Sequence, residues 1–319
     1  MSRKFYFHQI ILLAGVYLIL FSGKAKAQTD IDAIMMDKHN LCIGPMYGNS
    51  SWKNYWEGTL KRDNANLGTV SSNIYSIMGN YGILDNLNIL FGLPYIATKA
   101  SAGTNHGMKG LQDISLWIKY MPLEKTLGKG TFSIYTIAGL SFPSTNYPAD
   151  YLPLSIGLHS TNLSLRAMLD YQINQWFATL SGTFIQRSNV KIDRNSYYTT
   201  EMHYTNLVDM PNAIQYNLRT GIRNERYIAE AVLSNWTTLG GFDITRNNMP
   251  FLSNKMNMTT IGINGKYNLA KIQGLSATGG IHAAVAGRNT GQVTNFNIGI
   301  FYVLGPKKDK QTKTPKIKK

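Results

Sequence analysis

Eight charged residues each fall on the polar row of an alternating segment: Asp113, Lys119, Arg166, Asp170, Arg219, Arg223, Glu230 and Lys266. Their chemistry is electrostatic. No Gly-x-Ser-x-Gly nucleophile turn, phosphate loop or dinucleotide fingerprint occurs anywhere in the chain. The six histidines show no H-x-x-x-H or H-x-x-E-H spacing, so no zinc site is suggested, and no metal or cofactor is expected. His282 is expected to face inward beside Ser276 and Thr278 and reads as a hydrogen-bonding wall residue. His106, in Thr104-Asn105-His106-Gly107, reads as a loop residue. Charges of mixed sign on one face of a closed sheet have two uses. They can set up a field across a pore that sorts solutes. They can equally pair with one another and fill a narrow interior. Asp113 and Lys119 stand on one strand face some ~20 Å apart, at ~3.3 Å per residue, so they cannot pair directly.

The elements that carry these charges alternate with period two from about Leu41 onward. In residues 162–171, Leu163, Leu165, Ala167, Leu169 and Tyr171 share one face, and Asn162, Ser164, Arg166, Met168 and Asp170 the other. Residues 214–223 set Ile214, Tyr216, Leu218, Thr220 and Ile222 against Gln215, Asn217, Arg219, Gly221 and Arg223. Residues 295–302 repeat the pattern with Phe296, Ile298, Ile300 and Tyr302 on one side. A charge at the midplane of a barrel's lipid face costs ~2–4 kcal/mol. The apolar rows therefore point outward and the charged rows inward.

About twelve strands follow, at roughly 41–58, 68–84, 87–98, 111–121, 131–142, 159–172, 176–187, 213–224, 226–239, 255–268, 275–287 and 293–304. This is an all-β, transmembrane, antiparallel up-and-down barrel. Connections alternate between short and long, as periplasmic turns and outside loops do. Residues 188–212 form the longest connection, and an extra hairpin there would raise the count to fourteen. An even count leaves both chain ends on the short-turn side. Aromatics collect at that side: Tyr120, Phe132, Tyr171, Trp176, Tyr227, Tyr267 and Tyr302. Tyr and Trp favour the membrane interface, so these seven read as a periplasmic girdle.

Composition agrees. Charged residues make up 15% of the chain, against about 25% in a soluble domain. Cys42 is the only cysteine, so no intrachain disulfide is available, whereas a closed sheet pairs every backbone group without one. Residues 1–27 read as a signal peptide, with Arg3 and Lys4 ahead of the apolar run Ile10–Phe21 and Ala25-Lys26-Ala27 as the cleavage site. That run is too short for a spanning helix. The formal charge of +15 falls to +11 without the signal's Arg3, Lys4, Lys24 and Lys26, and residues 306–319 hold +6 of what remains. The basicity is thus a tail and not a nucleic-acid face.

The domain reading is a signal peptide over 1–27, an N-terminal segment over 28–40, a barrel over 41–304 and a basic disordered periplasmic tail over 305–319. Whether 28–40 partly plugs the barrel is left open at this point.

Two neighbouring segments resemble a known family. Phe91-Gly92-Leu93-Pro94-Tyr95 is followed by Gly110-Leu111-Gln112-Asp113-Ile114-Ser115-Leu116-Trp117-Ile118-Lys119-Tyr120, and the next strand ends in Gly139-Leu140-Ser141-Phe142-Pro143. This is similar to the outer-membrane barrels named for the MetA pathway of phenol degradation. They are related to the long-chain fatty acid and other hydrophobic-compound transporters. Gln112 replaces the second glycine of that family's Gly-x-Gly-Asp pattern, and Ser144 follows Pro143 where Thr-Gly is usual. The resemblance implies passive uptake of small hydrophobic or aromatic solutes. The implied partners are outer-membrane lipid and a small-molecule solute, with no nucleic acid and no enzymatic activity. The alternative is a structural or assembly barrel of the secretion- or gliding-associated type, binding envelope proteins through the basic tail. A barrel lipase is the third reading, and no motif argues for it.

Overall fold

The structure is a computed structural model and describes residues 29–245 and 248–305. The expected signal peptide and residues 306–319 of the basic tail lie outside the described residues. Twelve strands close into one antiparallel barrel. They are β1 Leu41–Trp52, β2 Val70–Leu84, β3 Leu87–Ala100, β4 Asp113–Leu127, β5 Gly130–Pro143 and β6 Asn162–Ile173. The circuit continues with β7 Trp176–Arg187, β8 Ala213–Arg223, β9 Tyr227–Thr238, β10 Asn257–Asn268, β11 Leu275–Arg288 and β12 Thr294–Leu304. Each strand pairs with its sequence neighbours, and β12 returns to β1 from Leu41↔Leu304 to Ser51↔Thr294. That seam leaves the barrel without an open edge strand, the condition a sheet must meet to stand in lipid.

The burial pattern inverts that of a soluble protein. Leu165 is 63% exposed, and its neighbour Arg166 only 7%. The outward rows of β6, β8, β10 and β12 are Leu163, Leu165 and Leu169; Tyr216 and Leu218; Ile261 and Ile263; Phe296, Ile298 and Ile300, all exposed. The inward rows hold Arg166, Asp170, Asn217 and Arg219, all buried. Two solvents explain this. Hydrocarbon takes the apolar row, and the charged row faces a polar interior.

Strand limits differ from the sequence expectation at two strands, and β1 is one of them: it ends at Trp52 and not at 58, and Asn54–Glu57 pairs with Leu60–Asp63 in a separate hairpin. β4 runs on to Leu127 and turns into β5 through Gly128 and Lys129, with Leu127 opposite Gly130. Pro122 and the charges Glu124 and Lys125 make this stretch read as a connection. A register shift between Tyr120 and Leu123 accommodates the proline, which is where strands tolerate one. β3 ends its pairing with β4 at Leu87↔Tyr120, so residues 122–127 project past the wall, paired with β5 alone among the described strands. The long connection 188–212 holds two short ladders, Val190–Lys191 with Leu207–Val208 and Tyr197–Tyr198 with Met202–His203. They stand outside the barrel, so its count stays at twelve.

At that end the long loops pack on one another. Ala149, Val190, Ile192, Tyr197, Val208, Met210 and Leu252 form a small apolar core there. Asp243 pairs with Arg288, and Asn289 bonds Asp243, Gly58 and Ile244 together.

Candidate functional site

The inner wall is where the eight charges meet. Alternation fixes their direction, because every second side chain of a strand crosses to the other face. Arg219 on β8 pairs with Glu230 on β9. Arg223 pairs with Asp170 on β6 at 3.0 Å and lies over the Phe177 ring at 3.9 Å. Asp170 also accepts from Thr179. Glu230 also accepts from the Asn264 amide, whose carbonyl oxygen lies 2.8 Å from His282 Nε2. His282 is thus one link in a hydrogen-bonded wall chain running from β11 to β8.

Lys119 and Arg166 are different. Among the described residues neither has a carboxylate partner on the wall. Their partners come from the N-terminal segment, residues 29–40, which lies inside the barrel. Lys119 Nζ donates to Thr29 O at 3.2 Å, Asp32 O at 2.5 Å and Asp32 Oδ1 at 3.0 Å. Arg166 Nη1 donates to Asp30 O at 2.7 Å and Asp30 Oδ2 at 3.0 Å, while its Nε is held by Thr183 Oγ1 at 2.6 Å. Arg219 Nη1 reaches Ile31 O at 2.8 Å, and Tyr135 Oη donates to Ala33 O at 3.1 Å. Side chains from β4, β5, β6 and β8 therefore grip five consecutive residues.

Apolar contacts fix the rest of the segment. Ala33 and Met35 pack on Tyr135, Ile137 and Met168, and Met36 packs on Cys42, Phe301 and Val303. Where the segment meets β1, Gly82 accepts from the His39 N–H and donates to Asn40 O. Lys119 is 0% exposed, and a cation so buried is costly unless its charge and donors are met. Asp32 meets that need, and its own carboxyl stays below the usual range. Burial alone would push it up, but the Lys119 ammonium, the Thr29 N–H and Arg219 outweigh burial.

Opposite the segment a cavity of about 530 Å³ remains, between residues 29–34 and strands β8 to β12, β1 and β2. Its lining mixes Met46, Met78, Met258 and Trp236 with Asn217, Asn264, Asn295 and Asn297. Lys266 also lines this space.

Asp113, at the far end of β4, takes a hydrogen bond of 2.6 Å from Tyr147 of the loop after β5. It holds that loop at the mouth. The outward aromatics expected at the short-turn end all avoid burial: Trp176 is the most exposed, Tyr120 and Tyr267 are exposed, and Phe132, Tyr171, Tyr227 and Tyr302 are half-buried. Tyr171 Oη donates to Leu127 O, and Tyr267 Oη accepts from Arg226. A second outward set is Tyr75, Tyr95, Phe184, Tyr216 and Phe296; alternation placed Tyr216 and Phe296 outward, but the sequence reading assigned no girdle at this end. Trp176 and Phe184 are eight positions apart, and at ~3.3 Å per residue and ~40° tilt the two rings stand roughly 20 Å apart, near the ~25 Å apolar band of such barrels.

Asp30, Asp32 and Tyr135 are also absent from the sequence reading. An acidic Asp-x-Asp in a basic chain, set among Ile31, Ala33, Ile34, Met35 and Met36, is the signal that could have pointed to the two aspartates; Tyr135 carries none.

With this geometry in hand, the solved structures settle the architecture. The chain is similar to an outer membrane channel from Pseudomonas putida F1, with a TM-score of 0.68 at 14% identity, covering 88% of this chain and 100% of that one. The fold is that of an outer-membrane β-barrel. More distant likenesses are the NanC porin, with a TM-score of 0.46 at 6% identity over 81% of this chain and 98% of that one, and a translocator domain. The latter, from the autotransporter NalP of Neisseria meningitidis, has a TM-score of 0.42 at 10% identity over 86% of this barrel chain and 90% of its own. No protein-family model matches the sequence, and no curated protein matches it.

Proposed function

We propose that this chain is an outer-membrane channel for passive passage of small solutes, narrowed at rest by residues 29–40. The observation that carries the reading is the cavity of about 530 Å³ left beside the segment inside a closed barrel. Such a passage needs no bond chemistry and no cofactor. Export by a signal cleaved after Ala27, with both chain ends in the periplasm, accords with the short turns lying on the side of Leu41 and Leu304. The solute class is small hydrophobic or aromatic molecules bearing polar groups. Its support is the phenol-degradation resemblance and a lining that alternates methionines and Trp236 with amides.

The test is single-channel recording of the mature chain in planar bilayers, beside a variant lacking residues 29–38. The expected result is a several-fold higher conductance for the shortened chain. A folded barrel that conducts in neither form overturns the channel reading. One observation favours the assembly alternative: the projecting end of β4 exposes Leu123 and Leu127 on the termini side. Copurification of a stoichiometric envelope protein, lost when residues 122–129 are shortened to a tight turn, would establish that reading instead.

A further inference from the structure

The N-terminal segment is held by wall side chains from four strands. Four barrel charges settle among themselves, Arg219 with Glu230 and Arg223 with Asp170. Two cations do not. Lys119 and Arg166 each take one carboxylate, from Asp32 and Asp30 respectively, both at 3.0 Å. Between those carboxylates the chain presents backbone carbonyls to Arg219 and, just beyond, to Tyr135. The apolar side of the segment rests on Tyr135, Ile137 and Met168.

We propose that Lys119 and Arg166 form a site for a small organic dicarboxylate, and that such a solute opens the channel by displacing Asp30 and Asp32. The proposal rests on the channel reading above and goes beyond it: the dicarboxylate is the ligand that opens the channel, separate from the hydrophobic or aromatic solutes that pass once it is open. The argument is one of charge replacement. A neutral solute that pushed the segment aside would strand two cations that the wall does not neutralise, and stranding a buried charge is heavily penalised. A monoanion relieves one of them. A dianion replaces both carboxylates, and the Arg219 and Tyr135 donors are then free for a carbonyl or hydroxyl between its ends. The apolar floor suits a hydrocarbon body.

Succinate is the probe, because its flexible chain lets the two carboxylates adapt to the site; butyrate is the monoanion of matched length. Single-channel recordings of the mature chain at constant ionic strength should show open probability rising with succinate. The rise should need at least tenfold more butyrate. In the double variant Asp30→Asn, Asp32→Asn the lumen should be open before any addition, and succinate should now reduce conductance by entering the vacated site. Heat-dependent electrophoretic mobility confirms that the variant barrel is folded. Equal responses to succinate and butyrate overturn the proposal, as does no response while the chain lacking residues 29–38 conducts. If that shortened chain does not conduct either, the channel reading itself has failed.

Discussion

A lysine ammonium without solvent contact is tolerable only where acceptors and a counter-charge surround it, and Lys119 has both within 3.2 Å. Glu230 does the same for Arg219 and at the same time accepts from Asn264. Glu230→Gln should therefore cost about 3–5 kcal/mol, the usual penalty for breaking a buried ion pair from one side. Thermal unfolding in detergent micelles measures it, and a midpoint unchanged from the parent would refute the pairing. At this scale the sequence was informative in part. Alternation gave the direction of Arg166, Asp170, Arg219, Arg223 and Glu230, since a strand offers a side chain only two directions. It did not give their partners. Those of Lys119 and Arg166 are Asp32 and Asp30, which lie 87 and 136 positions away respectively and carry no periodicity of their own.

At the scale of elements, strands were legible because lipid outside and polar lumen inside impose a two-residue rhythm. β4 was cut short because a proline and two charges imitate a turn, whereas a bulge carries them through. Loops have no such rhythm, so the extra hairpin considered for 188–212 could not be decided, and the apolar core its ladders help to form could not be read. Their anchors are now testable. The Arg288 guanidinium and the Asn289 amide hold the Asp243 carboxyl at about 2, well under the ordinary value of 3.8. A depressed carboxyl stabilises the folded loop fully above its ordinary value, and that stabilisation is lost as pH falls through the depressed one. The amide chemical shifts of Gly58 and Ile244, both donors to Asn289 Oδ1, should hence stay flat from pH 7 to the ordinary value. They should move only as pH approaches that of the held carboxyl. Asp243→Asn should displace both signals already at neutral pH. A titration centred on the ordinary carboxylate value would contradict the anchor.

The whole molecule depends on one seam. β1 and β12 are the barrel's first and last strands, and their pairing skips from Ile43↔Tyr302 to Met46↔Gly299 across Gly44 and Pro45. A side chain at Gly44 would run into the backbone of Ile300 and Phe301. Gly44→Val should consequently block closure, leaving the chain with the electrophoretic mobility of its heated form. A variant that still shows the compact, heat-sensitive band would mean that the seam can yield. Closure of twelve strands was the part of the fold most open to sequence reading, because an even count and alternating loop lengths force it. What fills the closed space was not, since interior contacts depend on the stagger of strands around the ring.

The segment enters the lumen from the same end at which β1 begins, and under the proposed cleavage after Ala27 it does so as a chain end. No strand has to part for it to leave or return, so docking and release require no threading. The same arrangement bears on protein engineering. Whatever is fused ahead of Thr29 starts its path inside the barrel, beside Lys119. A purification tag placed there would act as a wedge, whereas one placed in the loop that carries Tyr204, 87% exposed at the opposite mouth, would leave the interior as it is.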